Sequence, residues 1–430
     1  MILELSFSPL MTIKQISDTF PEMPDISIFI LLGVFLLTAL RQVGSLRLQI
    51  WQIMTFGAGL VLLLGEISPG KAIDAVNLDV LIFLFGAFCV GEALNKSGYL
   101  SFLGNRIVSR AKNTDQLVLL VLFTTGLLSA ILMNDTLAIM GTPLVLQFSR
   151  KYDISPKLML FALVFGVTTG SVMSPIGNPQ NLLIAINGNL ETPFVTFLRS
   201  LALPTFICII LAYVVLKLFF RQEFGKTALI HSEEVIKDPE LALISKIALL
   251  ILLILIICKI FLVEFFPAWN FSLSLIALLS ATPVFLSKRR IEVLKNIDWA
   301  TLVFFVSMFI LMESVWISGT CQELLHRLTP QLGSIPVILA LSIGLSQLIS
   351  NVPFVALYLP AMGTSISEGQ LMALAAGSTI AGNLLILGAA SNVIIIQNAE
   401  KEGETLSFIE FSRIGLLITL LDAIIYFIFL

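Results

Sequence analysis

Apolar runs of membrane-spanning length recur from one end of this 430-residue chain to the other, and they constrain its fold more than any other feature. About 20 consecutive apolar residues are enough for a helix to cross a bilayer. The mean hydropathy is +0.99 and only 12% of the residues are charged. Because lipid offers no partners to backbone polar groups, such segments must be helices or a closed barrel. The length and uniform hydropathy of the runs predict an all-α polytopic membrane protein.

Ten stretches are predicted to span the membrane: 27–43, 49–65, 79–95, 157–187, 197–220, 242–263, 271–287, 299–316, 370–396 and 411–430. Two further apolar stretches, 117–150 and 335–365, are interrupted by "MNDT" and "SNVP". Each arm beside these interruptions looks too short to span. We therefore expect two re-entrant hairpins whose polar tips stop inside the membrane.

The span 157–187 is itself interrupted, by "GNPQN" at Gly177 to Asn181. Glycine, proline and amides end a helix near its middle, where lipid would leave the freed backbone groups without partners. Unwound backbone at this depth is tolerated where it lines a cavity, which predicts a binding site. The alternative is a proline kink whose amides are satisfied by neighbouring helices.

The landmarks of the first half recur in the second half in the same order. Asn134 is followed nine residues later by Pro143, as Asn351 is by Pro360. In the same way "GNPQN" corresponds to "GAASN", "FVTFLR" to "FIEFSR" and "DVLIFLFGAF" to "DWATLVFFVSMF". Each half holds five spans, an odd number, so the second half should enter the membrane in the opposite sense. The predicted organisation is a leader (1–26), a first inverted repeat (27–220), a cytoplasmic linker (221–241) and a second inverted repeat (242–430).

The topology follows from the distribution of the 25 Lys and Arg residues. With the spans and hairpins placed as above, most of them fall on one side, which is expected to be cytoplasmic. Both termini then lie outside, in a plasma or inner membrane. The amino terminus lacks the basic start and small-residue cleavage site of a signal peptide and is predicted to be a short leader.

Inverted repeats with broken helices favour a secondary transporter, because their tips meet at the bilayer midplane, where helix amino termini favour anions and unwound carbonyls favour cations. A channel is the alternative of another class. An intramembrane enzyme is disfavoured, since His231 and His326 lie in predicted loops and no "HExxH" motif occurs. No basic tract suggests nucleic acid. No nucleotide-binding loop occurs, so energy is expected from an ion gradient or a separate ATPase subunit.

Four segments resemble the signatures of the ion transporter superfamily: "NDTLAIMGTPLV", "GNPQNLLIA", "SNVPFVALYLP" and "GSTIAGNLLILGAASN". The resemblance covers about 27–430. It points to the branch of arsenite permeases and NhaD-type sodium/proton antiporters, with citrate and sodium/dicarboxylate transporters as more distant relatives. It implies a scaffold domain, a mobile transport domain that moves as an elevator, and a homodimer.

The resemblance also implies a substrate- and ion-binding set, formed by the two hairpin tips and the two helix breaks: Asn134, Asp135, Thr136, Gly177, Asn178, Pro179, Asn181, Ser350, Asn351, Gly388, Ser391 and Asn392. No catalytic residue and no cofactor is predicted. The coupling ion is H⁺ or Na⁺, with a candidate sodium site at Asn134, Asp135 and Asn181. The second tip lacks the Thr of the Ser-Asn-Thr pattern found in sodium-coupled relatives, which argues against a complete second sodium site.

Asp135 is the predicted coupling residue. A carboxylate at mid-membrane costs about 2.5–3.5 kcal/mol on insertion scales, so it is rarely present without a partner or a task. The alternative is a capping Asp at the start of the second hairpin helix. Glu92 and Glu313 either line a cavity or pair with a base such as Lys96, whereas Asp422 has no repeat counterpart.

The substrate is predicted only by chemical class. Hydroxyls, amides and helix amino termini at the tips suit a small anion or a neutral polyhydroxy species such as arsenous acid, and no Arg lies in a tip. The sequence therefore favours a proton-coupled transporter of an arsenite- or antimonite-like oxyanion. Sodium/proton antiport and proton- or sodium-coupled citrate or dicarboxylate transport stay open as alternatives.

Overall fold

The computed structural model describes residues 26–40, 42–43, 46–108, 110–224, 236–265, 271–319, 333–363 and 366–430. The predicted leader (1–26) lies almost entirely outside these ranges, as does most of the predicted linker (221–241). His231, His326 and Cys321 also lie outside them.

In its described part, the first half consists of helices and one short antiparallel ladder of two-residue strands. Its elements are α1 (Ile26–Leu40), β1 (Gln42–Val43), β2 (Leu46–Arg47), α2 (Ile50–Leu63), α3 (Pro69–Asp74), α4 (Leu78–Lys96), α5 (Tyr99–Val108), α6 (Thr114–Leu132), α7 (Asn134–Tyr152), α8 (Pro156–Ser171), α9 (Pro179–Asn187) and α10 (Pro193–Phe219). Proline begins α3, α8, α9 and α10, where its missing N–H removes no helical hydrogen bond.

The described part of the second half repeats this element order. It contains α11 (Pro239–Phe265), α12 (Leu273–Leu286), α13 (Arg290–Asn296), α14 (Trp299–Ile317), α15 (Ile335–Ile349), α16 (Asn351–Ala361), α17 (Glu368–Leu384), a 3₁₀ turn (Ile386–Gly388), α18 (Ala390–Lys401) and α19 (Phe408–Phe429). A short helix precedes a long one in each half, as α3 precedes α4 and α13 precedes α14. A helix pair and then a broken helix follow.

Each predicted span coincides with a helix, and the spans 157–187 and 370–396 are broken as predicted. Within the described ranges, six helices are long and apolar enough to cross a membrane: Leu78–Lys96, Thr114–Leu132, Pro193–Phe219, Pro239–Lys259, Trp299–Ile317 and Phe408–Phe429. The prediction that both arms of the first hairpin are too short is wrong. Asn113 caps α6 by accepting a hydrogen bond from the Gln116 N–H, and the helix then runs for 19 residues.

The two halves pack against each other reciprocally. α4 packs on α12, and α2 packs on α14. By their place in the element order, α2 corresponds to α12 and α4 corresponds to α14, so the two contacts are equivalent. Likewise α7 packs on α18 while α9 packs on α16, and α10 packs on α19. Within each half the first arm of the helix pair lies on the first part of the broken helix, as α6 on α8 and α15 on α17. This arrangement brings both tips and both breaks to the centre of the molecule.

Small residues allow the backbones of α6 and α8 to come into direct contact. A Cβ atom on Gly170 would lie 2.1 Å from the Gly126 Cα, and one on Gly166 would lie 2.3 Å from the Thr125 Oγ1. Without a hydrophobic driving force between helices in lipid, such close backbone packing is a main source of association. The contact fixes the first hairpin arm to the first part of the broken helix.

We expect Gly170→Ala to destabilise the protein by about 1–3 kcal/mol, because the added methyl group forces α6 and α8 apart. The measurement is the thermal midpoint of the purified protein in detergent, followed by size exclusion. Gly59→Ala is the matched control, since a Cβ atom there meets nothing within 4 Å. An equal midpoint for the two variants would contradict the importance of this contact.

Candidate functional site

The first hairpin tip is bonded directly to the first helix break. Met133 forms the turn between α6 and α7 with a positive φ of 70°. The Asn134 N–H that follows donates to the Gly177 carbonyl at 2.8 Å. A Cβ atom on Gly177 would lie 2.2 Å from the Ser171 carbonyl oxygen, so only glycine fits at this close approach. The tip and the break therefore form one structural unit.

The amides of the first break satisfy the helix ends that the break creates. The Asn181 Nδ2 donates to the carbonyls of Ser171, Val172 and Ser174 at 3.2, 3.2 and 3.0 Å. These carbonyls lie at the end of α8, where helical partners are missing. The Asn178 Oδ1 accepts the Asn181 N–H at 2.9 Å and caps α9. Asn178 and Asn181 thus stabilise the break through hydrogen bonds, without lining the main cavity described below.

Thr379 of α17 links the first break to the second half. Its Oγ1 accepts from the Asn178 Nδ2 at 3.1 Å and from the Gln180 Nε2 at 3.4 Å, and it donates to the Asn181 Oδ1 at 3.3 Å. These residues are buried. Neither Thr379 nor Gln180 was among the predicted site residues, although Gln180 belongs to the "GNPQN" break and Thr379 to the "GSTIAGNLLILGAASN" segment.

The second break is closed in a similar way. The Asn392 Nδ2 donates to the Gly382 carbonyl at 2.6 Å, and the Gln347 Nε2 donates to the Ala381 carbonyl at 2.8 Å. A Cβ atom on Gly388 would lie 2.7 Å from the Gln347 Oε1. Glycine is again required at the close approach, and amides again hold the end of the first part of a broken helix.

The two breaks differ in how fully their polar atoms are used. Within the described structure, five buried side-chain oxygens near the second tip and break have no hydrogen-bond partner: Ser346 Oγ, Gln347 Oε1, Asn351 Oδ1, Ser391 Oγ and Asn392 Oδ1. A buried polar atom left unpaired costs about 1–3 kcal/mol. Such atoms call for an explanation, and a bound polar ligand or cation is one.

One cavity of about 710 Å³ receives residues from both tips and both breaks. The lining residues from these four segments are Asn134, Asp135, Pro179, Gln180, Ser350, Asn351, Ala389 and Ala390. The other predicted site residues stand behind this lining or away from it: Thr136, Gly177, Asn178, Asn181, Gly388, Ser391 and Asn392. Thr136, for example, packs against Gly91 of α4. The structure therefore joins the four predicted segments at one cavity.

Among the described residues, the four helices that follow the two tips and the two breaks all begin at this cavity: α7, α9, α16 and α18. The first N–H groups of a helix lack helical partners, and the helix dipole adds partial positive charge there. Four such termini around one space favour an anion or another group rich in electron-donating oxygen.

The cavity also contains carboxylates. Asp135 is buried, and within the described residues its side chain accepts no hydrogen bond. Asp298, which sequence reasoning treated only as a repeat landmark, caps α14 and accepts the Thr301 N–H at 3.0 Å and the Thr301 hydroxyl at 2.6 Å. Glu400 lies exposed at the mouth. Of the described residues that line the cavity, none is Lys or Arg.

Glu92 and Glu313 do not line this cavity. Lys96 forms its ion pair with Glu292 at 3.1 Å rather than with Glu92, which accepts instead from the Asn95 amide. Of the alternatives given for Glu92, neither the lining of this cavity nor an ion pair with Lys96 is found among the described residues. The two helices α4 and α13 lie in contact and bring Glu292 closer to the ammonium group.

Comparison with known proteins identifies the family. The sequence profile of CitMHS, described as citrate transporter, matches residues 34–370. The chain belongs to the CitMHS citrate transporter family. The predicted resemblance to the ion transporter superfamily is confirmed at this level, while placement in the arsenite-permease and NhaD branch stays a prediction.

Individual relatives agree with membership of CitMHS. An uncharacterized transporter of Mycobacterium tuberculosis is 26% identical over 366 residues, which is 80% of this chain and 83% of the relative. A silicon efflux transporter of Oryza sativa is 34% identical over 145 residues, 34% of this chain and 30% of the relative. These relatives are named as transporters and not as enzymes.

The fold is similar to a solved transporter structure. The crystal structure of the YdaH transporter of Alcanivorax borkumensis superimposes with a TM-score of 0.57 at 16% identity, over 94% of this chain and 96% of the other. This CitMHS member is thus a multi-pass membrane protein with the fold of a transporter.

We expect Thr379→Val to lower the free energy of unfolding by about 1–3 kcal/mol, because it leaves the buried amides of Asn178 and Gln180 short of an acceptor. Thermal midpoints in detergent measure the change. Thr379→Ser keeps the hydroxyl and should stay near wild type. If Thr379→Val stays near wild type while Thr379→Ser lowers the midpoint, methyl packing rather than the hydrogen bonds maintains the contact.

Proposed function

We propose that this chain is a secondary active transporter that moves a small oxygen-rich acid, with a citrate-like carboxylate first, in exchange for or together with protons. The observation that carries the proposal is the single cavity into which both tips, both breaks and Asp135 project. Helix amino termini in a cavity of this kind bind carboxylate or oxyanion groups without a basic side chain.

The charges at the cavity restrict the substrate further. Asp135 and Asp298 line it, and no Lys or Arg does so among the described lining residues. A fully ionised citrate would be repelled by the carboxylates, so we expect it to enter with protons or a cation that offset its charge. Family membership puts citrate first. Arsenous acid is the second candidate, because it is uncharged and needs no such compensation.

Asp135 is the proposed coupling residue. It faces the cavity from the amino terminus of α7 without a hydrogen bond to its carboxylate in the described structure, whereas Asp298 is held by Thr301. A carboxyl that is free of fixed partners can exchange a proton as the substrate enters and leaves. The capping alternative is disfavoured, because the Asp135 carboxylate accepts no backbone N–H near the start of α7. The Asn134 Oδ1 accepts a local N–H instead, and the donor is the Asp135 backbone.

Sodium coupling is a second candidate. The unpaired oxygens around Asn351, Ser391 and Asn392 offer a hard cation the oxygen ligands it prefers. Asn134 and Asp135 of the earlier candidate sodium site line the cavity, but the Asn181 side chain is engaged by backbone carbonyls and Thr379. A sodium ion is therefore better accommodated beside the second tip.

We further propose that the halves form an inverted repeat and that α6–α9 and α15–α18 move together against α2, α4, α12 and α14. Reciprocal packing of corresponding helices supports this proposal.

A second cavity of about 310 Å³, lined by residues of α9 and α16, lies at the other end of these two helices. It is a candidate exit path in an elevator cycle. A homodimer and the use of an ATPase subunit remain predictions.

The main cavity opens at the exposed residues Gln49, Gln397 and Glu400. Arg47 and Lys401 adjoin this opening in the sequence, and both belong to segments predicted to be cytoplasmic. We therefore assign this arrangement to the state that is open to the cytoplasm.

We expect Asp135→Asn to reduce uptake driven by a proton gradient by about tenfold or more, because the amide cannot carry the coupling proton. The assay follows labelled citrate, and separately arsenite, in proteoliposomes with an imposed pH gradient. Asp135→Glu should restore part of the activity, and Glu92→Gln should behave as wild type. Wild-type pH dependence in Asp135→Asn would remove Asp135 from the coupling path.

The same proteoliposomes separate the two coupling ions. We test whether a sodium gradient drives uptake when the pH is equal on both sides. Sodium coupling is correct, and proton coupling wrong, if this uptake is lost in Asn351→Ala but kept in Asp135→Asn. If neither citrate nor arsenite enters although the reconstituted protein is folded, both substrates are wrong.

We expect a cysteine at Gln397 to react with a membrane-impermeant maleimide from the cytoplasmic side. The side chain is exposed at the mouth of the cavity, whereas Cys89 and Cys208 are buried. Labelling of Gln397→Cys is compared between inside-out and right-side-out vesicles, with the native protein as control. Labelling only from the outside would reverse the assigned orientation.

A further inference from the structure

A second carboxyl group is buried away from the cavity, on α19. Asp422 has no solvent exposure and takes part in no ion pair within the described structure. Its Oδ2 accepts from the Asn383 Nδ2 at 3.0 Å, and the Cys208 side chain lies beside its carboxyl group. A buried carboxylate without a counter-charge is costly and rare inside a membrane protein.

The helix that carries Asp422 touches the second break. The buried face of α19 includes Gly415, Thr419 and Asp422, spaced at about one helical turn. A Cβ atom on Gly415 would lie 2.1 Å from the Asn383 carbonyl oxygen and 2.9 Å from that of Leu384. These are the last residues of α17. Carbonyls at a helix end favour positive charge and disfavour an added negative one.

Asn383 connects Asp422 to both broken helices. The same Nδ2 atom that donates to the Asp422 Oδ2 also donates to the Thr169 Oγ1 at 3.0 Å. Asn383 lies in the last turn of α17 and Thr169 lies in the last turn of α8. A change at the carboxyl group is therefore transmitted to the point where each helix breaks.

The cluster around Asp422 contains several polar oxygens without a partner. Within the described structure, four of its oxygens have no partner: Asp422 Oδ1, Asn383 Oδ1, Thr168 Oγ1 and Thr419 Oγ1. An ionised carboxylate oxygen and an amide oxygen are both acceptors only, so they cannot bond to each other. The Thr168 and Thr419 hydroxyls can donate as well as accept, and a proton on the carboxyl group adds a further donor to the cluster.

The repeat shows that this carboxyl group is specific to one half. Thr205 and Cys208 follow "FVTFLR" at the same spacing as Thr419 and Asp422 follow "FIEFSR". Asp422 therefore does have a repeat counterpart, Cys208, and the two side chains meet where α10 packs on α19. The Thr205 and Tyr426 hydroxyls form a hydrogen bond beside them at 2.7 Å.

Few other titratable groups face Asp422. Among the described residues these are Cys208 from α10 and Tyr426 from α19 itself. The helices α8 and α17 contribute only Thr168, Thr169 and Asn383, because their charged residues lie at their opposite ends, and α15 has no charged residue.

We propose that Asp422 is a second proton-binding position, which gains and loses its proton as the two broken helices change their packing. Loss of the proton places a negative charge without a counter-charge beside the Asn383 side chain in the last turn of α17. The end of α17 and the Thr169 contact must then rearrange. The link to a transport cycle rests on the proposed function, whereas proton binding itself does not.

Infrared difference spectroscopy of the purified full chain in lipid nanodiscs tests proton binding directly. We expect the C=O stretching band of a protonated carboxyl group to respond to pH in the wild type and to be lost in Asp422→Asn. Asp135→Asn should remove a different band, and Cys208→Ala should keep the Asp422 band with a shifted pH midpoint. An unchanged band in Asp422→Asn across the pH range in which the protein is folded would overturn the proposal.

Should Asp422→Asn fail to fold, Thr419→Val and Cys208→Ala decide the question. Both remove a group beside the carboxyl and should move the pH midpoint of the band. If neither variant moves it, Asp422 is not the titrating group and the proposal is wrong.

Transport assays then separate a coupling role from a structural one. We expect Asp422→Asn to retain substrate exchange between equal pH on both sides, within about twofold, and to lose about tenfold or more of proton-driven uptake. Proton-driven uptake with the wild-type pH profile would overturn the coupling role while leaving the Asp135 result intact. If the wild type shows no proton-driven uptake, the proposed function fails, and the infrared band still decides whether Asp422 binds a proton.

Discussion

The backbone at the two helix breaks must find its hydrogen bonds inside the protein, and the rest of the structure depends on this constraint. In lipid no water is present to satisfy freed carbonyl and N–H groups. The Asn181 amide meets three carbonyls at the end of α8, and the Asn392 amide meets the Gly382 carbonyl in α17. With the carbonyl ends satisfied in this way, the amino termini of the following helices are left to face a shared cavity.

The halves use the same architecture with unequal chemistry. Around the first break Asn178 and Asn181 are engaged on both sides of the amide, whereas around the second break several oxygens have no partner in the described structure. The last helices show a similar contrast, with a thiol at Cys208 and a carboxyl at Asp422. The two breaks thus differ in how fully the side-chain oxygens around them are engaged.

In the proposed function, electrostatics links the substrate to the coupling ion. Helix amino termini supply fixed partial positive charge to the cavity, while Asp135 and Asp298 supply negative charge, and no basic side chain of the described lining offsets it. In the proposed function, an anionic acid enters this cavity together with protons or a cation that offset its charge. Coupling is in this view a consequence of charge balance, which accords with the membership of a citrate transporter family.

The sequence by itself determined the helices, their breaks and the segments that form the site, because apolar length, Gly, Pro and amide patterns act locally along the chain. It identified Asn134, Asp135, Ser350 and Asn351 at the cavity. Only the tertiary structure added Asp298 and Gln180, joined Asn178 to Thr379 across 201 residues, and placed Asp422 against Asn383. Such contacts depend on how distant helices pack, and no local pattern encodes which polar side chains then meet.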